Sequence, residues 1–187
     1  LDKLLYRNEY QKDIGLGIDI KVYDDIQDLE RWMNDCHNST SSAKYYASYC
    51  WEWKSRRNPT ELDIKIPEIN PVFQKQWNPW DDQYRWYLDS IDKIGCIYTA
   101  QGLGFDYVGF IWSDDLVWRK DHWEENIQLV TKFDSQLRGS INANTNKLDL
   151  LLNIYRVMLT RAKKRLSIWF KDEETKQHFK DVCLVEG

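Results

Sequence analysis

Ile97-Tyr98-Thr99-Ala100-Gln101-Gly102-Leu103-Gly104-Phe105-Asp106-Tyr107-Val108 is the stretch on which the reading of this chain turns. Gly95 to Tyr98 is a short apolar run with the character of a buried strand, and it opens into a polar, glycine-containing loop from Thr99 to Gly104. A second apolar run, Tyr107 to Trp112, follows at once. Strand, loop of this composition, strand is how an α/β sheet presents backbone and small polar groups at its carboxyl edge, where ligands bind. Gly102 and Gly104 allow close backbone approach or a positive φ. Taken alone, the same pattern also fits a tight turn between strands.

A later segment narrows the choice: Tyr155-Arg156-Val157-Met158-Leu159-Thr160-Arg161-Ala162-Lys163-Lys164-Arg165-Leu166. From Leu148, apolar residues recur at Leu151, Leu152, Tyr155 and Leu159, a helical stripe. The strand-like run Leu166-Ser167-Ile168-Trp169-Phe170 follows after a very short connection. Arg161 is therefore expected near the end of a helix, just before a strand. Cations are favoured at a helix C-terminus by the dipole. That accounts for Lys163 and Lys164 but less well for Thr160-Arg161-Ala162.

Together the two segments resemble motifs V (T-x-x-K/Q-G-L-E-F) and VI (V-x-x-T-R-A) of the second RecA-like domain of superfamily 1 helicases, and in particular the Schlafen group 3-like DNA/RNA helicase domain. The resemblance extends through Tyr49-Cys50-Trp51-Glu52-Trp53-Lys54, Ile94-Gly95-Cys96-Ile97, Val108-Gly109-Phe110-Ile111-Trp112 and Asp115-Leu116-Val117-Trp118. Asn153-Ile154-Tyr155-Arg156-Val157 continues it, so that motif support runs from about residue 43 to 175. It implies that Arg161 is the arginine finger of motif VI, reaching the γ-phosphate of ATP across a cleft between two RecA-like domains. A planar, permanently charged guanidinium suits developing phosphoryl charge. It further implies that Gln101, Gly102 and Thr160 belong to the nucleotide-facing surface, with Arg156 as a supporting residue. Thr99 matches the motif V threonine associated with the nucleic-acid backbone.

One departure stands out. Where many relatives have Glu in the G-L-E-F-D string, this chain has Gly104. The carboxylate that contacts the nucleotide sugar in related helicases is thus missing. Asp106 lies on the same strand face but is equally well read as a solvated carboxylate.

Composition bounds the rest. A chain of 187 residues with 42% apolar and 30% charged residues is globular, neither membrane-spanning nor disordered. No run approaches the roughly 18 apolar residues that span a bilayer. No signal peptide opens the chain, and it begins with Leu rather than Met, as an excised domain would. Cys36, Cys50, Cys96 and Cys183 lie far apart, and His37, His122 and His178 have no ligand spacing. Reduced thiols in a cytoplasmic protein with no metal of its own are expected. A net charge of −4 and a pI of about 5.4 exclude a strongly basic nucleic-acid module but not a local track. Lys54 to Arg57 and Lys163 to Arg165 are the local basic clusters.

Along the chain, residues 1–15 read as a lead-in from a missing N-terminal domain. Ile18 to Tyr23 alternates as a half-buried strand, and Asp24 or Asp25 caps a helix carrying Ile26, Leu29, Trp32 and Met33. Lys44 to Trp53 reads as an aromatic strand entering the core. Residues 55–92 form an irregular insertion with all four prolines, in which Leu62 to Ile66 can pair with Val72 to Trp77 as a hairpin. The ten tryptophans, Trp77, Trp80 and Trp86 of the insertion among them, are expected mainly to pack rather than to stack bases. Asp114-Asp115 resembles a Walker B pair only superficially, since no G-x-x-x-x-G-K-[ST] string exists. Residues 119–145 are polar, with a short hairpin or helix, and Asp172 caps a closing helix that turns Phe179 and Val182 inward.

The expectation is a single α/β domain over 1–187: a three-layer RecA-like fold with a mainly parallel sheet and an antiparallel hairpin insertion. Functionally, the resemblance implies the C-terminal motor domain of an ATP-dependent DNA/RNA helicase or translocase. ATP with Mg²⁺ would be shared with an N-terminal RecA-like domain of the same parent protein. The partner would be single-stranded DNA or RNA, with no membrane involved and no hydrolysis by this chain alone. The alternative is a degenerate NTPase-fold binding or regulatory module.

Overall fold

The computed structural model describes residues 5, 17–40, 42–67, 70–78, 86, 91–131, 139 and 146–183. Its centre is a seven-stranded sheet in the order β1-β9-β6-β2-β5-β4-β3. The strands are β1 (Asp19–Tyr23), β2 (Ala43–Ala47), β3 (Ile64–Ile66), β4 (Phe73–Trp77), β5 (Lys93–Gly95), β6 (Phe105–Trp112) and β9 (Ala162–Phe170). All pairings are parallel except β3 with β4. A separate antiparallel hairpin joins β7 (Leu116–Arg119) to β8 (His122–Glu125). The helices are α1 (Ile26–Thr40), α2 (Ile97–Ala100), α3 (Ile127–Thr131), α4 (Lys147–Leu159) and α5 (Glu173–Cys183).

The layers follow from side-chain parity. In β2 every residue of Ala43–Ala47 is buried, as expected of a parallel strand covered on both faces. Tyr45 points toward α1, whose buried stripe is Ile26, Leu29 and Met33. Asp25 caps that helix, accepting from the Gln27 amide at 2.8 Å. On the other face, Phe110 and Trp112 meet Tyr155 of α4 at ring distances of 5.5 and 4.4 Å, and Trp112 meets Phe179 of α5 at 5.0 Å. Helix, sheet and helix make the three layers of an α/β fold. Asp172 caps α5 through the Thr175 amide at 2.8 Å. Its carboxyl is lowered to about 2: burial opposes the charge, and Arg119 and Thr175 overcome it.

Trp77, Trp86, Trp112, Trp118 and Trp123 are buried, so these rings pack. Cys36, Cys50, Cys96 and Cys183 form no disulfide among the described residues. Two readings of the sequence are corrected and a third is extended. The strand expected over Lys44–Trp53 is regular only as far as Ala47, because Ser48 turns its hydroxyl into the buried carboxylate of Asp115, 2.8 Å away. The hairpin expected in the insertion is present as β3–β4, but β4 also pairs with β5 and so extends the main sheet. Lys163 and Lys164 do not sit at a helix end: β9 already begins at Ala162, and Lys164 pairs with Asp106 at 2.8 Å. The lead-in 1–15 apart from Leu5, Trp80, most of 79–90 and most of 132–145 lie outside the described residues.

Gly109 is the residue on which β6 depends most. A Cβ there would lie 2.6 Å from two ring atoms of Tyr45 and 3.1 Å from Met33. Because both neighbours are fully buried, neither can move aside cheaply. Gly109→Ala is expected to lower unfolding free energy by about 1–3 kcal/mol, read from the midpoint of urea denaturation.

Candidate functional site

The two sequence segments that carry the motifs fold against each other. β6 and β9 are neighbours whose pairing starts at Phe105↔Ala162, and the Phe105 amide donates to the Arg161 carbonyl at 2.9 Å. Gln101 to Gly104 therefore precede β6 and Thr160-Arg161 precede β9 on one edge of the sheet. This is the amino edge, not the carboxyl edge expected from the strand–loop–strand pattern. The reason lies in the connection. β5 ends at Gly95, and Ile97–Ala100 is a helical turn rather than a continued strand. The chain then runs back across the sheet to start β6 parallel to its neighbours.

Thr99 explains that turn. Its hydroxyl accepts from the Cys96 amide at 2.7 Å and donates to the Cys96 carbonyl at 3.0 Å, closing the helical turn on itself. Gly95 makes room: a Cβ there would lie 2.7 Å from the Thr99 hydroxyl and from the Trp86 ring. Gly102 has φ +76°, a backbone state that glycine alone adopts at no steric cost. At Gly104, a Cβ would meet Lys163 Cε at 3.0 Å and the Arg161 carbonyl at 3.4 Å, so the two motif segments approach closely at this point.

Arg161 is held half-buried at the end of α4. Its amide donates to the Met158 carbonyl at 3.2 Å, and Nη2 donates to the Thr160 hydroxyl at 3.1 Å. The Thr160 hydroxyl in turn lies 2.8 Å from the Arg156 carbonyl. Nε of Arg161 is buried with no hydrogen-bond partner among the described residues, an unmet donor that a buried site ordinarily satisfies. The Arg161 charge is felt at Tyr46, whose phenol is pushed up by burial and pulled the other way by the guanidinium. The Tyr46 hydroxyl likewise has no partner among the described residues. Gln101, Gly102 and Thr160 are exposed, Thr160 adjoins Arg161, and a Cβ on Gly102 would meet nothing within 4 Å. A permanent cation beside a hydroxyl can take up an anionic, phosphate-like group. Among the described residues no group of His, Cys, Asp and Glu side chains could hold a metal. No described helix is long and apolar enough to cross a membrane.

A family model described as Schlafen group 3, DNA/RNA helicase domain matches residues 1–172. The chain belongs to the Schlafen group 3 DNA/RNA helicase domain family. It is also 22% identical over 180 residues to an uncharacterized protein of Saccharomyces cerevisiae, YPL245W, covering 86% of this chain. The chain spans 36% of that relative's length. No solved structure matches. This is a helicase-related domain.

The sequence did not reveal three features around the site. Lys44 is fully buried in the central strand, its ammonium 5.7 Å from the Trp86 ring centre. The signal was a lysine inside a run that is otherwise apolar. Tyr46, beside Arg161, gave none. The third is a buried network at the opposite edge. Ser48 and Tyr155 both donate to Asp115 Oδ1, at 2.8 and 2.7 Å. It ties the end of β2 and the loop after β6 to α4, the helix that ends at Thr160-Arg161. Asp114, its sequence neighbour, pairs instead with Lys171.

Burial pushes the Asp115 carboxyl up, and the Tyr155 and Ser48 hydrogen bonds pull against it. A raised carboxyl favours folding at low pH, and that contribution is lost as pH rises toward its shifted value. Tyr155→Phe removes one of the two bonds that support the ionised form. It is expected to cost about 1–3 kcal/mol. The loss should grow from acid to neutral pH, which urea midpoints at several pH values would measure.

Proposed function

We propose that this domain is the second RecA-like half of an ATP-dependent nucleic-acid motor, a helicase or translocase. The observation that carries the reading is the convergence of the motif V and motif VI segments at the amino ends of β6 and β9. There the half-buried Arg161 keeps an Nε donor with no partner among the described residues. ATP and Mg²⁺ would be shared with a first RecA-like domain of the same parent protein. Arg161 would meet the γ-phosphate, and the group would supply the phosphoryl transfer that drives motion. Thr160 orients Arg161 through its hydroxyl, and Gln101 with Gly102 lines the approach. Arginine suits this place because its planar fork binds phosphate oxygens bidentately and cannot lose its charge. Single-stranded DNA or RNA is the partner. Thr99, whose hydroxyl is closed onto Cys96, would serve the strand by shaping the turn rather than by touching the backbone.

Gly104 favours a second reading, a nucleotide-binding module without turnover. The sugar-contacting carboxylate of related helicases is replaced here by hydrogen. One experiment separates the two. The ATPase rate of the full-length parent is measured with and without single-stranded DNA or RNA, beside Arg161→Ala and Arg161→Lys. The motor reading expects strand-stimulated turnover that falls roughly 10³-fold or more in Arg161→Ala and is not rescued by lysine. ATP binding with no turnover under any condition would instead establish the module.

A further inference from the structure

We propose that the carboxyl edge of the sheet, opposite Arg161, is a binding surface for single-stranded nucleic acid built on Trp53, Lys54, Arg56, Arg57 and Tyr98. The proposal rests on the motor reading for its partner class, but on separate observations for its location. β2, β4 and β5 end side by side at this edge. A line of ring contacts crosses them: Tyr98 meets Tyr49 at 5.5 Å, Tyr49 meets Trp77 at 4.4 Å, and Trp77 meets Trp53 at 6.3 Å. At one end of that line Tyr98 is 44% exposed.

At the other end lies a groove of about 700 Å³ lined by Trp53, Lys54, Arg56 and Arg57. The three cations are exposed, and the Arg56 guanidinium lies 5.1 Å from the Trp53 ring centre. Glu52 and Glu61 also line the groove, and Glu52 pairs with Lys54 at 3.5 Å.

The surface is held in shape from beneath. The buried carboxylate of Asp63 accepts from the Ser55 amide at 2.8 Å and the Trp77 amide at 2.9 Å, fastening the basic loop to β4. Asn78 bridges the same edge, donating to the Tyr49 hydroxyl at 3.3 Å and accepting from the Cys96 thiol at 3.0 Å. Within the loop, Arg57 and Asn58 amides both donate to the Lys54 carbonyl, at 2.9 and 3.1 Å.

Aromatic faces interleaved with cations are what a single strand needs, because unstacked bases lie on rings while phosphates find the charges. A duplex hides its base faces and cannot use Tyr98 in this way. An acidic peptide would meet the same charges as a strand but would gain no base stacking on the rings. The geometry also keeps the strand on one edge and the nucleotide on the other, so that the two do not compete.

The test is fluorescence anisotropy of labelled oligo(dT) and oligo(U) with the full-length parent over a range of salt. Wild type is compared with Tyr98→Ala, Tyr98→Phe and the triple variant Lys54→Gln/Arg56→Gln/Arg57→Gln, with circular dichroism as the folding control. The triple variant should weaken binding and lower the slope of log affinity against log salt by about 2, the share of three phosphate contacts to a single strand. Tyr98→Ala should weaken binding roughly 5- to 100-fold with little change in that slope, and Tyr98→Phe should bind like wild type. Folded variants that bind like wild type, or equal affinity for duplex, would overturn the surface.

ATPase assays on the same proteins separate the two proposals. Arg161-dependent turnover with strand binding indifferent to these residues removes this surface and leaves the motor reading standing. Strand binding that is lost in the variants, in a parent that never hydrolyses ATP, does the reverse.

Discussion

The parallel pairing of β6 with β9 is the constraint on which the rest of this molecule depends. It runs from Phe105↔Ala162 to Trp112↔Phe170 with a single register shift near its start. A one-residue slip would turn every buried side chain of a strand to the wrong face. The register is fixed at one end by the contact of the Phe105 amide with the Arg161 carbonyl. At the other it is fixed by Trp112, packed among Tyr155, Phe170 and Phe179 at ring distances of 4.4, 5.2 and 5.0 Å. Aromatic pairs of this kind contribute about 0.5–1.5 kcal/mol each beyond their buried area. Motif V and motif VI are thereby brought together by the sheet itself, with no loop-to-loop contact required.

That pairing gives the domain two chemically different edges. At the amino edge, Thr160 and Arg161 follow α4, and the Arg161 carbonyl meets the Phe105 amide and the backbone at Gly104. At the carboxyl edge, the polar network of Ser48, Asp115 and Tyr155 lies buried, and the ring line from Tyr98 to Trp53 reaches the surface. Tyr155 belongs to α4, the helix that delivers Arg161. One helix therefore contacts both edges.

Much of the fold was legible because its signals were local and periodic. The stripe Leu148, Leu151, Leu152, Tyr155 and Leu159 marks α4. The alternation of Ile18 to Tyr23 marks β1, and Asp25 and Asp172 mark two helix starts. The pairing of Leu62–Ile66 with Val72–Trp77 was legible for the same reason. What could not be read depends on how a local turn closes or on residues distant in sequence. Thr99 looked like a loop hydroxyl because its bond to the Cys96 amide exists only once Gly95 lets the turn close. Lys163 and Lys164 looked like helix-end cations because nothing local shows that β9 starts as early as Ala162. Asp115 read only as half of a superficial Walker B-like pair because Ser48 and Tyr155 lie far away along the chain. The edge on which the motifs sit was misassigned for one reason. A strand–loop–strand pattern does not say whether the loop stays at its edge or crosses back.

The central claim is that nucleotide and strand occupy opposite edges of one sheet. Photo-crosslinking of the full-length parent with an azido-ATP and with a 5-iodouracil-substituted single strand, mapped by mass spectrometry, tests it most directly. The account predicts nucleotide adducts on the peptides containing Gln101–Gly104 and Thr160–Arg161, and strand adducts on those containing Trp53 and Tyr98. Both labels on one edge, or the two exchanged, would contradict it.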